Sequence, residues 1–114
     1  MEIEQYTFGK IVIDGESYTD DLKIAGGRIL PGWFRKSGHR VEPEDAADML
    51  AEEPEVLILG KGEPGRMSAS PALVELLRQK QIKLIEKPTK EAASLFNELH
   101  SQGKNVAAGF HLTC

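Results

Sequence analysis

A single cysteine, Cys114, rules out an internal disulfide, so covalent cross-linking does not hold this 114-residue chain together. Long apolar runs are missing too, and nothing approaches the roughly 18 residues of a membrane-crossing helix. Positive charge is not in excess. Eighteen acids against fourteen Lys and Arg leave a net charge of −4, which argues against broad affinity for nucleic acid or an anionic lipid surface. The amino terminus, Met1-Glu2-Ile3-Glu4-Gln5, has neither the basic cluster nor the apolar core of a secretory or transit signal, and a cytoplasmic location is the expectation. Cys-x-x-Cys, His-Glu-x-x-His, Gly-x-Ser-x-Gly and the phosphate-binding Gly-x-x-x-x-Gly-Lys-Ser/Thr are all absent. What remains is ordinary for one globular domain spanning 1–114, with 40% apolar and 28% charged residues.

The chain is organised around Pro54-Glu55-Val56-Leu57-Ile58-Leu59-Gly60-Lys61-Gly62. Its apolar run is too short and too β-branched for a buried helix, so a strand covered on both faces, at the centre of the sheet, is expected. Upstream, residues 6–13 read as strand material broken by Gly9, and Asp14-Gly15 is a two-residue hairpin signal. Further short antiparallel strands follow through 22–24 and 28–30, and Trp33 to Arg40 reads as a loop or edge. Pro43 opens a first helix expected to run to about Glu53, with Ala46, Met49 and Leu50 on one stripe. Ser70 caps a second helix beginning at Pro71, whose buried stripe is Leu73, Leu76 and Leu77. Residues 82–86 form a strand. Thr89 is the expected cap of a third helix, which buries Ala92, Leu95, Phe96 and Leu99 and ends at Gly103, and 106–110 is the last strand. The predicted fold is α/β, layered, with a mixed central sheet, an N-terminal β-hairpin layer and a C-terminal βαβαβ unit.

With these elements assigned, the chain resembles the adipogenesis-associated Mth938-domain family. The residues that carry the resemblance are Leu57-Ile58-Leu59-Gly60-Lys61-Gly62, the helix entry Glu86-Lys87-Pro88-Thr89 through Asn97-Glu98-Leu99, and the closing Val106 to Cys114 with its His-x-Thr-Cys ending. The resemblance implies a layered α/β fold with a mixed sheet and a hairpin. It brings relatives with roles in adipocyte differentiation and in mitochondrial complex I assembly, and bacterial and archaeal members without an assigned reaction.

Two site readings follow from the residues. Gly60-x-Gly62-x-x-Gly65 meets the spacing of a dinucleotide fingerprint, but Pro64 and the later cap Ser70 delay the helix that such a site needs, and no cofactor is expected. An anionic small molecule held by Gly60, Lys61, Gly62 and Arg66, with Arg35 or His39 reaching across, is one reading. The other is a protein partner docking on Trp33, Phe34, Arg35 and Lys36, since aromatic and arginine side chains are enriched at interfaces. His39, His111 and Cys114 lack diagnostic metal spacing, and Cys114 reads as a terminal thiol, so no catalytic residue or metal ligand is assigned. The expected function is a non-catalytic binding or assembly protein; the alternative is the anionic-metabolite protein, which leaves an enzyme open.

Overall fold

A computed structural model describes residues 1–114. Strands β1 (Ile3–Thr7), β2 (Lys10–Ile13) and β3 (Glu16–Tyr18) form an antiparallel sheet. The β2–β3 turn is Asp14-Gly15, both at positive φ (50° and 82°), as a tight hairpin requires. The central sheet has five strands in the order β5-β4-β10-β7-β9: β4 (Leu22–Ala25), β5 (Arg28–Pro31), β7 (Val56–Gly60), β9 (Lys83–Lys87) and β10 (Val106–Phe110). Parallel pairing joins β10 to β7 and β7 to β9, while β4 runs antiparallel to β10, so the sheet is mixed. Two short strands, β6 (Arg40–Val41) and β8 (Ser68–Ala69), pair in parallel beside it.

The middle position belongs to β10, not to β7, which the sequence had placed there. Both are buried at every residue. In β7, Val56 and Ile58 enter a core shared with Phe96, Phe110 and the N-terminal sheet, whereas Leu57 and Leu59 enter one shared with Met49, Leu73 and Leu77. Alternation thus feeds two cores from one strand, which explains the continuous apolar run. Each such buried Leu or Ile stabilises the fold by about 1.5–3 kcal/mol relative to exposure.

Helix α2 (Pro71–Lys80) begins as the sequence indicates, with Ser70 Oγ accepting from Leu73 N at 3.1 Å. Its buried stripe is Leu73 and Leu77, with Leu76 only half-buried. The expected helix from 43 to 53 is instead a 3₁₀ turn (Pro43–Ala46) followed by one short helical turn, α1 (Ala47–Leu50). Asp45 explains the break. Its amide donates to Glu42 O at 3.0 Å, the i to i+3 bond of a 3₁₀ turn, its carboxylate accepts from Glu42 N at 2.8 Å, and Ala46 leaves helical geometry at φ −102°, ψ 3°. Helix α3 (Thr89–Ser101) is capped by Pro88, with Thr89 already inside the helix and its hydroxyl turned to another task. The C-terminal end of α3 closes on Gly103, at φ 80°, as expected.

Candidate functional site

The carboxyl ends of β7 and β10 are where an open α/β sheet offers a ligand site. Here the chain's own tail occupies much of that edge. His111 N donates to Gly60 O (2.9 Å), Glu63 N to Thr113 O (3.0 Å), and Leu112 O accepts from Gly9 N (2.8 Å) and from the Tyr6 hydroxyl (2.8 Å). Thr89 stitches the assembly from the side: its hydroxyl accepts from Gly62 N at 2.7 Å and donates to His111 O at 2.6 Å.

This arrangement gives the glycine loop a physical explanation. A Cβ on Gly62, whose φ is 93°, would lie 2.0 Å from Thr113 O and 2.8 Å from His111 Cδ2. At Gly60 a Cβ would lie 2.6 Å from the Phe110 ring. The glycines therefore admit the tail and a neighbouring ring. The amides of Lys61, Gly62 and Glu63 are donated to Lys87 O, Thr89 Oγ1 and Thr113 O, so they do not form a free cradle for an anion. Lys61 is half-buried and Arg66 is exposed, and no ion pair or side-chain hydrogen bond joins either to Arg35 or His39.

Arg35, His39 and Gly62 do come together, at His111. Asp21, at the corner before β4, accepts at Oδ2 from Arg35 Nη2 (2.7 Å) and from His111 Nδ1 (2.8 Å), and at Oδ1 from Leu112 N (2.8 Å). Arg35 Nη2 also lies 3.2 Å from His111 Nδ1, and the His39 ring meets the His111 ring edge-on at 5.6 Å. Arg35 Nε donates to Gly38 O, and its guanidinium sits 4.6 Å from the centre of the Trp33 ring. Burial acts to raise the pKa of Asp21, but the hydrogen bonds from His111, Arg35 and Leu112 N and the charge of His111 outweigh it. The carboxyl is accordingly held below its ordinary value. Burial, then the charges of Glu63 and Asp21, push the nearby Tyr6 hydroxyl upward.

Trp33 requires a correction. Expected on the surface as a partner anchor, it is buried: Nε1 donates to Asp45 O at 3.0 Å, and the ring lies against Gly109, where a Cβ would come within 2.6 Å of it. The small residue in β10 leaves room for this indole. Phe34, the next residue, is 93% exposed, and Lys36 and Arg40 are exposed with no ion-pair partner. The two residues missed by sequence reasoning as a pair are Asp21 and His111. A signal existed for the second, a histidine closing the otherwise apolar run Val106 to Leu112; Asp21 offered only an acid just before a strand. No three His, Cys, Asp or Glu side chains are grouped to hold a metal ion.

A three-stranded hairpin layer on a mixed five-stranded sheet, closed by a tail that returns over a glycine loop, defines a Mth938-like α/β domain. Residues 3–111 match the family described as protein of unknown function (DUF498/DUF598), and the chain belongs to that family. A conserved hypothetical protein of Pyrococcus horikoshii OT3 is 35% identical over 100% of both chains, with a TM-score of 0.84. A protein named MT938 is 26% identical, covering 99% of this chain and 98% of its own, with a TM-score of 0.81. A Mth938-like domain from Bordetella pertussis shares the fold at 18% identity, TM-score 0.69, over 97% of this chain and 85% of that one. The family description carries no activity.

Proposed function

We propose that this domain is a non-catalytic binding or assembly protein that docks a partner protein through the loop of residues 32–40. The observation that carries this reading is Phe34. Its ring is 93% exposed while both neighbours are tied into the fold, Trp33 by burial and its bond to Asp45 O, Arg35 by Asp21 and Gly38 O. An aromatic ring held outward by anchored neighbours loses little conformational freedom on binding, which suits an interface anchor. Lys36 and Arg40 add unpaired positive charge to a loop free of acids, on a chain of net charge −4. The complementary partner offers an apolar pocket rimmed by carboxylates. Resemblance to the adipogenesis-associated branch, with its assembly relatives, agrees with this reading. The alternative, an anionic metabolite at Gly60, Lys61, Gly62 and Arg66, has less support because the loop amides are already engaged.

The test compares proteins captured by the wild-type domain with those captured by Phe34→Ser and by Phe8→Ser. Phe8 is 61% exposed on a different turn and serves as control. A captured protein, once purified, should bind wild type and Phe8→Ser alike and lose at least about tenfold in affinity for Phe34→Ser, the cost of truncating an anchor. Equal binding of all three overturns the proposal.

A further inference from the structure

Two buried side-chain nitrogens in this molecule have no hydrogen-bond partner, Arg35 Nη1 and His111 Nε2. They belong to side chains in contact with each other, exposed by only 4% and 9%. Buried polar atoms in folded proteins are nearly always paired, so two orphans in one cluster point to a binding partner for both. The cluster fixes the chemistry of that partner. Asp21 is ionised and accepts from His111 Nδ1, so Nδ1 carries a hydrogen and Nε2 is the ring nitrogen left without a partner. With His111 neutral, the charges of Arg35 and Asp21 cancel. With His111 protonated, the cluster carries one positive charge and offers two donors, Nη1–H and Nε2–H.

We infer that the Asp21–Arg35–His111 cluster is a binding site for a small monocarboxylate, whose oxygens accept from Arg35 Nη1 and His111 Nε2. With His111 protonated and a monocarboxylate bound, the buried charges sum to zero. A phosphate dianion would leave a negative charge uncompensated in the same place. The remainder of the ligand extends from the Arg35 side into a depression of about 410 Å³ lined by Asp21, Trp33, Phe34, Arg35 and Thr113, with His111 behind that lining. In the bound state Arg35 keeps its bond to Asp21. The charged and titratable groups facing His111 are Asp21, Arg35 and the His39 ring, whereas Gly60, Gly62 and Thr89 meet it with neutral groups. The depression shares Phe34 with the docking loop, whereas the two nitrogens that define the site belong to Arg35 and His111.

The experiment follows the His111 ring by NMR across the histidine titration range in saturating benzoate, in chloride and in inorganic phosphate at matched ionic strength. Benzoate should raise the His111 titration midpoint by about one unit over chloride, as a new opposite charge within hydrogen-bond reach does. Arg35→Lys keeps the positive charge but removes Nη1, and a native-like variant should lose the benzoate effect. Should that variant fail to fold, the wild-type Arg35 Nη1–H resonance is the second readout, and it should move downfield with benzoate. A midpoint identical in benzoate and chloride, as a bound water alone would give, overturns the proposal. An equal rise with phosphate overturns the carboxylate assignment.

Discussion

Gly62→Ala tests whether the glycine loop exists to admit the chain's own tail. The added methyl faces two separable penalties. The first is conformational, since φ is 93° and an L-residue with positive φ costs about 1–2 kcal/mol. The second is steric: Thr113 O, 2.0 Å from the new Cβ, must move, which breaks its 3.0 Å bond from Glu63 N and adds about 1–3 kcal/mol. The sum is about 2–5 kcal/mol. Gly103→Ala supplies the control. Its φ is 80°, but no atom lies within 4 Å of the added Cβ, so only the conformational cost of about 1–2 kcal/mol applies. Urea unfolding of both variants should therefore give a larger fall in midpoint for Gly62→Ala at unchanged slope. In thermal scans the gap should be on the order of 5 °C or more. Equal destabilisation by the two substitutions would refute the reasoning, since it would mean that the tail does not press on the loop.

Thr89→Val removes a hydroxyl that serves Gly62 N and His111 O at once, leaving a buried donor and a buried acceptor unpaired. A loss of about 2–4 kcal/mol in urea unfolding is expected, and a loss below about 0.5 kcal/mol, the scale of a surface change, would contradict it. Asp21 predicts an acid limb of stability. Its folded-state pKa lies below the ordinary 3.8, so its contribution is complete above that value and is lost as pH falls through the folded-state pKa. Asp21→Asn strands a buried Arg35 charge and should cost about 3–5 kcal/mol near neutral pH. The gap to wild type should shrink as the pH drops below 3.8, and a gap independent of pH would argue against the assigned ionisation.

The elements that the sequence specifies locally were legible. Asp14-Gly15 is a turn wherever it occurs between strand residues, Ser70-Pro71 caps a helix by its own hydroxyl, and Gly103 ends one by its positive φ. Two of the misreadings involve partners distant in the chain. Thr89 has the residue type of a cap, yet its hydroxyl finds Gly62 and His111, 27 and 22 positions away. Asp45 has the residue type of a first-turn helix acid, yet its amide bonds Glu42 O in a 3₁₀ turn that a helical stripe does not reveal. Trp33 was read from its cationic neighbours, whereas the space beside Gly109, 76 positions on, decides its burial. The site followed the same pattern. Arg35, His39 and Gly62 were grouped as parts of one anion site, but the carboxylate and imidazole between them, Asp21 and His111, lie 90 residues apart, and nothing local pairs the two.

Phe34 is held outward by anchored neighbours, and backbone NMR relaxation of the 32–39 loop measures this directly. In the wild-type protein the amides of Phe34 and Arg35 should show order parameters near about 0.85, as in rigid backbone, and in Asp21→Asn they should fall below about 0.6 as Arg35 is released. A loop already at the lower value in the wild-type protein would contradict the claim.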